Sequence, residues 1–417
     1  MHQRTGTANL PLHGGHVPAW LSSRMACLGR VIVEAIVHEY GRDELLLRLA
    51  HPFWFQSFGA VMGMDWHSSG ITTSVIGALK RGLGPIQREL GVYVCGGKGS
   101  HSRRTPEELL QMGEITGTDA APLVQASRLV AKIDSAAVQD GFDLYLHAFV
   151  ATTEGRWCIV QQGMNETYRE ARRYHWQSAG LSGFFNSPHA AIEGRNIGPI
   201  VNLADARAER NRAAAVSLVR GGPDQTINVL RQSRRSGNLA LSLFPEADTS
   251  VAPPLHLQLP HHHEVRASDV MLKRLHGTLS AAADAGPRDF SDLLLRPGVG
   301  ARTIEALAFV AEVVHGAPSR FADPARFSFA LGGKDGHPFP VPIKVFDQTI
   351  GVLKRAVNRA KLGASEELAA IARLDAQAQM LESRTQGPDF ESLLASERAL
   401  SASLGGRTVR PRTGYAR

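Results

Sequence analysis

Apolar residues recur at spacings of three and four over several stretches of the N-terminal half, and this period is typical of amphipathic α-helices. Thr105 begins one such stretch, and the Pro106 and two acids that follow it favour the first turn of a helix. This helix is expected to end near Gly113. The spacings together predict helices over residues 19–50, 72–89, 105–113 and 121–135.

Strand-type residues replace the helical pattern after residue 140. The stretch from Leu144 to Val160 carries aromatic and branched residues on both sides of a short polar segment, TTEGR. Such a segment supplies the turn between two strands, so this stretch predicts the clearest β-hairpin in the chain. Residues 1–250 are therefore expected to form a mixed α/β domain.

A proline-rich segment at residues 251–267 predicts a linker or an extended arm. The helical pattern resumes after it and predicts a mainly helical domain over residues 268–383. Residues 384–417 end in a stretch that is rich in arginine and lacks acids, which predicts a flexible basic tail. The expected fold class is α+β, with a mixed α/β N-terminal domain that contains the β-hairpin and a mainly helical C-terminal domain.

Within the helical domain, the turn PGVG at residues 297–300 interrupts a helical region over residues 290–314. Glycines allow a backbone to approach a ligand closely, and the amides at the start of the second helix favour an anion. This pattern predicts a helix-hairpin-helix that holds a sugar-phosphate backbone without reading its sequence. The alternative is an ordinary glycine turn between two core helices. The residues predicted to contact nucleic acid here are Gly298, Val299, Gly300, Arg302 and Thr303.

A second glycine-rich stretch, GGKGSHSRR, begins at Gly96 and is basic. It is not an NTP-binding P-loop, because glycine rather than serine or threonine follows Lys98, and no nucleotide cofactor is expected. Glycine amides and cations also suit a phosphate cradle of another kind, in which Lys98, Arg103 and Arg104 contact nucleic acid. A solvated loop explains the same residues.

Acidic residues precede the predicted β-hairpin. Carboxylates held at strand ends are the usual ligands of Mg²⁺ or Mn²⁺, which activate water and neutralise charge in phosphodiester cleavage. A nuclease site would add a lysine that stabilises phosphate charge and a histidine, His67 or His147, that moves a proton. In restriction-endonuclease-like nucleases a lysine follows an acid or glutamine on the second strand. Here Gly163 and Met164 follow Gln161 and Gln162 at that spacing, so this lysine is missing. His67 also fits a helix cap. The predicted metal ligands are Asp134, Asp140 and Asp143, and the predicted catalytic residues are these three with Lys98 and His67.

The segment ARRYHW interleaves two arginines with aromatic residues. This mixture is expected of a surface that pairs with phosphates and stacks on bases, so Arg172 and Arg173 are predicted nucleic-acid contacts. Packed core with arginines whose charged ends reach solvent explains the segment equally well.

Composition limits the classes of function. The chain has 417 residues, of which 43% are hydrophobic and 20% charged, and such values are typical of globular, multi-domain proteins. A formal net charge of +7 favours anionic partners. The 3 cysteines form neither a disulfide framework nor a zinc motif, which favours the cytoplasm. Neither a signal-peptide core nor a long apolar run occurs, so no membrane partner is expected.

Several longer strings occur in a specific order along the chain, and in them the chain resembles the prokaryotic family called domain of unknown function 763. The resemblance covers about Arg4 to Asp347 and implies a bacterial or archaeal protein with a helix-hairpin-helix element. It implies no established reaction, and therefore it assigns no catalytic residues. The strings are RTGTANLPLHGG, HPFWFQ, DWHSSG, CGGKG, KIDSAAVQDGFDLY, QQGMN, ARRYHW, PGVG and FALGGKDG.

The leading hypothesis is a cytoplasmic nucleic-acid-binding protein of DNA repair or processing, with DNA favoured as the partner and a metal-dependent nuclease site in the N-terminal domain. The alternative is a non-catalytic DNA- or RNA-binding protein that contacts phosphates through the helix-hairpin-helix. Convergence of the three aspartates within metal-ligand reach favours the enzyme, and their divergence favours the binding protein. The sequence does not indicate an oligomeric state.

Overall fold

The computed structural model describes residues 10–11, 17, 19–64, 69–235, 269–325, 343–359, 368–373 and 376. The predicted linker at residues 251–267 and the predicted tail at residues 384–417 lie outside the described residues. Helices are combined with antiparallel sheets in the described part, which confirms the α+β class. None of the helices in these ranges has both the length and the apolar character that a membrane span needs.

The helices lie close to where the apolar spacing predicts them. The region over residues 19–50 is divided into two helices, because Gly41 between them has a φ of 88°, a positive value that is incompatible with a continuous helix. The helix at Thr105 continues to Thr116, where Gly117 with a φ of 77° ends it. The α-helices are α1 (Ala19–Tyr40), α2 (Arg42–Ala50), α3 (Pro52–Val61), α4 (Gly70–Leu83), α5 (Gln87–Leu90), α6 (Ser100–Arg103), α7 (Thr105–Thr116), α8 (Ala121–Lys132), α9 (Glu209–Arg220), α10 (Pro223–Arg235), α11 (Asp269–Asp284), α12 (Phe290–Leu295), α13 (Ala301–His315) and α14 (Ile343–Arg359).

The strands are β1 (Leu10–Pro11), β2 (Val92–Lys98), β3 (Val138–Gln139), β4 (Asp143–Thr152), β5 (Trp157–Asn165), β6 (Glu170–Gln177), β7 (Ala191–Glu193), β8 (Pro199–Asn202) and β9 (Arg320–Ala322). They form two antiparallel sheets. The main sheet has the order β1-β6-β5-β4-β2, with β7 paired to β6, and the small sheet has the order β3-β8-β9.

The strands β4 and β5 form the predicted β-hairpin. Ala151 lies opposite Trp157, and the polar segment between them makes the turn. The register of this pair shifts between Leu144 and Leu146, so Tyr145 lies at an irregularity of the strand. A bulge of this kind interrupts the regular alternation of side chains between the two faces of a strand.

Helices cover both faces of the main sheet, since successive residues of a strand point to opposite faces. Ala148 and Val150 of β4 pack with the apolar residues of α1 to α4. Phe149 and Ala151 pack with those of α7 and α8. The described residues therefore form one hydrophobic core on each face of the sheet.

The C-terminal helices pack into these same two cores. Leu293 of α12 and Leu307 of α13 belong to the core that contains Phe149, and Leu353 of α14 belongs to the core that contains Val150. Among the described residues, the predicted boundary after residue 250 therefore does not separate two hydrophobic cores. It also follows that α12 and α13 rest directly on the N-terminal half.

Candidate functional site

The turn between α12 and α13, residues 296–300, exposes backbone at the start of a helix; we call it the hairpin turn. Gly298 has a φ of 82° and is exposed, while the side chain of Val299 is fully buried. The amide of Ile304 bonds to the carbonyl of Gly300, so the amides of residues 301–303 precede the first intrahelical bond. Gly300 supplies no side-chain cap, and these amides have no acceptor in the described part of the chain. Amides so placed favour an anion.

Two side chains from the N-terminal half donate hydrogen bonds to backbone carbonyls at the hairpin turn. Lys132 donates from Nζ to the carbonyl of Val299, and Gln139 donates from Nε2 to the carbonyl of Ala301 at 3.0 Å. Burial lowers the pKa of Lys132. Because both donors come from the N-terminal half, its packing against α12 and α13 holds the backbone of the turn before any ligand arrives, which reduces the ordering cost of binding.

Of the two side chains predicted to assist the hairpin turn, only Arg302 lies at the surface. It is exposed and forms no ion pair with a described residue. Thr303 is 6% exposed and lies on the side of α13 that packs into the core, so most of its side chain is not at the surface. Burial raises the pKa of Glu305 to about 7, and the charges of Arg320 and Arg302 oppose this rise.

The basic loop, residues 96–104, begins in β2 and leaves it through glycines. Gly96, Gly97 and Gly99 have φ values of 83°, 136° and 61°, which residues with a side chain rarely adopt. A Cβ on Gly96 would lie 2.3 Å from the carbonyl oxygen of His147. The neighbouring strand therefore requires glycine at this position.

An ion pair fixes the start of the basic loop. Glu108 accepts hydrogen bonds from Lys80 at 2.6 Å and from the amide of Gly96 at 2.7 Å, and Lys80 also donates to the carbonyl of Gly96. Since Glu108 is engaged in this way, it does not neutralise the cations of the loop. The predicted contact residues of the loop are exposed and form no ion pair within the described ranges: Lys98, Arg103 and Arg104.

Asp134, the first predicted metal ligand, is 1% exposed and lies among hydrogen-bond donors of the core. Its carboxylate accepts from Gln161 Nε2 at 2.5 Å, from Trp176 Nε1 at 2.8 Å and from His189 Nε2 at 2.6 Å. These three bonds occupy both carboxylate oxygens. The arrangement satisfies a buried charge, as a folded core requires.

Asp140, the second predicted ligand, lies in another buried network. Its Oδ2 accepts from Arg172 and from the Tyr174 hydroxyl at 2.7 Å each, and its Oδ1 accepts from the amide of Phe142. Burial raises the pKa of Asp140, and the charge of Arg172 acts in the opposite direction. Asp143, the third, is exposed at the start of β4. No three potential metal ligands come together in the described part of the chain, and the three aspartates diverge.

Arg172 and Arg173 are fully buried, which corrects their predicted place on a nucleic-acid-binding surface. Adjacent residues of β6 point to opposite faces of the sheet, and each guanidinium meets a carboxylate there. Arg172 pairs with Asp140 and Asp323, both at 2.7 Å, and Arg173 pairs with Glu193 at 2.8 Å. Burial raises the pKa of Glu193 to about 7 against the opposing charge of Arg173. These arginines are core residues.

His67, the predicted proton-transfer residue, lies outside the described residues. His147 is buried, with Nδ1 at 2.7 Å from Gln161 Oε1 and Nε2 at 2.9 Å from Ser127 Oγ. Because Gln161 uses its amide nitrogen on Asp134, its oxygen accepts, and the proton of His147 is assigned to Nδ1. Burial lowers the pKa of His147, which favours its neutral form.

Two polar residues that are not among the predicted site residues, Tyr145 and Gln162, lie beside the basic loop. The ammonium of Lys98 is 5.9 Å from the centroid of the Tyr145 ring. Gln162 Nε2 donates to the Tyr145 hydroxyl and, at 3.0 Å, to the carbonyl of Ser69. Burial raises the pKa of Tyr145, while the hydrogen bond from Gln162 and the charge of Arg173 lower it. The signal in the sequence was the QQ pair, because amides in an apolar strand need partners.

No curated protein and no solved structure matches the chain. The family model described as "Protein of unknown function (DUF763)" matches residues 6–341, which is more than half of the 417 residues. The chain therefore belongs to the DUF763 family.

Proposed function

We propose that the chain binds nucleic acid, with DNA as the favoured polymer, and that α12, the hairpin turn and α13 act as a helix-hairpin-helix. The observation that carries this proposal is the exposed start of α13, where three amides without an acceptor lie at a glycine turn next to Arg302. Phosphate oxygens accept hydrogen bonds from such amides and form charge-assisted bonds with arginine.

The basic loop supports the same class of partner. Lys98, Arg103 and Arg104 are exposed cations that no described carboxylate neutralises, and the formal net charge of the chain is +7. Contacts of this kind go to phosphates, so the proposal is binding that depends little on base sequence and strongly on salt.

The proposal is a binding role in DNA repair or processing, without a nuclease step at the three aspartates. Asp134 and Asp140 are each 1% exposed and already accept hydrogen bonds from core residues, and Asp143 is exposed elsewhere. A two- or three-carboxylate metal site requires ligands that converge on one point. Divergence of these side chains supports the binding protein over the metal-dependent nuclease.

Fluorescence anisotropy with labelled duplex DNA, single-stranded DNA and RNA tests the proposal. Arg302→Glu should weaken DNA binding at least about tenfold, because it replaces a charge-assisted contact with repulsion. Arg88→Glu makes the same change of charge at an exposed residue of α5 and should stay within about twofold of the wild type. The affinity of the wild type should also fall by about a hundredfold between about 50 and 200 mM salt, because each proposed cation would release about one counterion from the DNA.

Two results would overturn the proposal. One is the absence of salt-sensitive binding to all three polymers. The other is an equal loss of binding in Arg302→Glu and Arg88→Glu, because an equal loss would reflect total charge and not the hairpin turn.

A further inference from the structure

Gln162 determines where the hydroxyl proton of Tyr145 points. Its Nε2 contacts the Ser69 carbonyl at 3.0 Å and the Tyr145 hydroxyl. A backbone carbonyl can only accept, so the amide nitrogen must face it, and the Tyr145 oxygen must accept the second N–H. The hydroxyl proton of Tyr145 is then directed away from Gln162, and no acceptor for it exists in the described part of the chain.

A second polar atom at the same place also lacks a partner. Gln162 is 0% exposed, and its Oε1 has no hydrogen-bond donor among the described residues. Buried amide oxygens are nearly always paired, and those that are not require an explanation. A ligand that brings an acceptor would pair the hydroxyl of Tyr145, whereas the Oε1 atom of Gln162 is enclosed by the protein.

The positive charge beside Tyr145 indicates that a ligand at this place would be an anion. Lys98 is exposed, forms no ion pair within the described ranges, and holds its ammonium 5.9 Å from the centroid of the Tyr145 ring. Its flexible four-carbon stem lets the ammonium reach an anion that also contacts the hydroxyl. Positive charge beside an unused hydroxyl donor favours an oxyanion over a neutral ligand.

We infer that Lys98, Tyr145 and Gln162 form a binding site for a phosphate-type oxyanion, separate from the hairpin turn. Lys98 supplies charge, the Tyr145 hydroxyl donates a hydrogen bond, and Gln162 is a positioning residue that orients this hydroxyl. The oxyanion is a backbone phosphate of bound nucleic acid, in which case the inference rests on the proposed function, or it is a free phosphate group. Both sources have the same chemistry at this site.

The test uses the full chain and two probes: pyrophosphate, followed by isothermal titration calorimetry, and a single-stranded oligonucleotide, followed by anisotropy. Tyr145→Phe keeps the ring and removes only the hydroxyl, and Lys98→Met removes the charge from an exposed position. Each variant should bind one or both probes about tenfold more weakly than the wild type. Tyr168→Phe, at an exposed tyrosine after β5, is the matched control and should bind like the wild type.

The pattern of losses identifies the source of the oxyanion and separates the two proposals. A loss in Tyr145→Phe for the oligonucleotide supports a backbone phosphate, and a loss in Tyr145→Phe for pyrophosphate supports a free phosphate group. Pyrophosphate binding that depends on Tyr145, without any nucleic-acid binding, would support this site and overturn the proposed function. Wild-type affinity of Tyr145→Phe and Lys98→Met for both probes would overturn this site, even if Arg302→Glu loses DNA. Failure of the wild type to bind either probe would also overturn it.

Discussion

Replacement of Arg172 by leucine should destabilise the fold strongly, because it leaves two buried carboxylates without their cation. Arg172 donates to Asp140 at 2.7 Å and to Asp323 at 3.0 and 2.7 Å. The side chains of all three residues are at most 1% exposed. The same contacts connect β6 to the segment that follows β9, so the effect should reach both halves of the chain.

The magnitude follows from the burial. Removal of one partner from a buried ion pair costs about 3–5 kcal/mol, and we expect about 4 kcal/mol for Arg172→Leu because a carboxyl group can take up a proton in response. The pair Arg30 and Glu34 on α1 has side-chain exposures of 39% and 37% and provides the matched control. Arg30→Leu should cost at most about 0.5 kcal/mol, since water screens an exposed pair.

Urea denaturation at several pH values measures both effects. Burial raises the pKa of Asp140 and Arg172 lowers it, so loss of Arg172 should raise this pKa further. A carboxyl group whose pKa is higher in the folded state contributes stability below its unfolded pKa, and this contribution is lost as pH rises through the folded pKa. The deficit of Arg172→Leu relative to the wild type should therefore be larger at about pH 8 than at about pH 5.

Two outcomes would refute this reasoning. A free energy of unfolding for Arg172→Leu within about 1 kcal/mol of the wild type at neutral pH would contradict the buried pairing. If Arg172→Leu kept the wild-type free energy of unfolding but lost DNA binding, Arg172 would have to be a nucleic-acid contact and not a core residue.

Three further predictions concern the loops and the thiols. Gly96→Ala should lower the free energy of unfolding, measured by urea denaturation, by about 3 kcal/mol or more, because the φ of Gly96 is 83° and a Cβ there would lie 2.3 Å from a carbonyl oxygen. Gly155→Ala is the control: its φ is 77° but the space around it is open, so it should cost about 1 kcal/mol. Lys132→Met should cost about 1 kcal/mol and speed hydrogen exchange at the hairpin turn, since it removes a bond to the turn's backbone. A thiol reagent at about pH 8 should modify only Cys27 in the folded protein, because the other two thiols are buried and burial raises the pKa of Cys95 to about 12; rapid modification of a second thiol would contradict this.

Short patterns in the sequence correctly predict the elements whose conformation depends on neighbouring residues. The TTEGR segment between apolar runs correctly predicts the hairpin of β4 and β5. The turn PGVG correctly predicts a break between helices, observed as α12 and α13. In each case the deciding residues lie within a few positions of the feature.

The partners of the buried charges could not be predicted, because they lie far apart in the chain. Arg172 and Asp323 are separated by 151 positions, and Arg173 and Gln56 by 117. A single sequence with two adjacent arginines on a strand is compatible with a surface or with two buried pairs. Only the packing on both faces of the sheet decides between them.

Closeness in sequence was also misleading for the predicted metal site. Asp134 lies in a π-helical turn, Ile133–Ala137, that continues α8, whereas Asp140 lies beyond β3 and Asp143 begins β4. The first two carboxylates bond to Trp176 and Tyr174 of β6. Each change of backbone conformation redirects the next side chain, so a short spacing does not ensure convergence.

Hydrogen exchange of the full chain with and without duplex DNA tests the central claim most directly. At low salt, the account predicts slower exchange at the amides of residues 301–303, because phosphate oxygens would accept hydrogen bonds from them, and no such protection in Arg302→Glu. DNA binding that protects other segments and leaves residues 301–303 unchanged would contradict the claim that this exposed helix start holds nucleic acid.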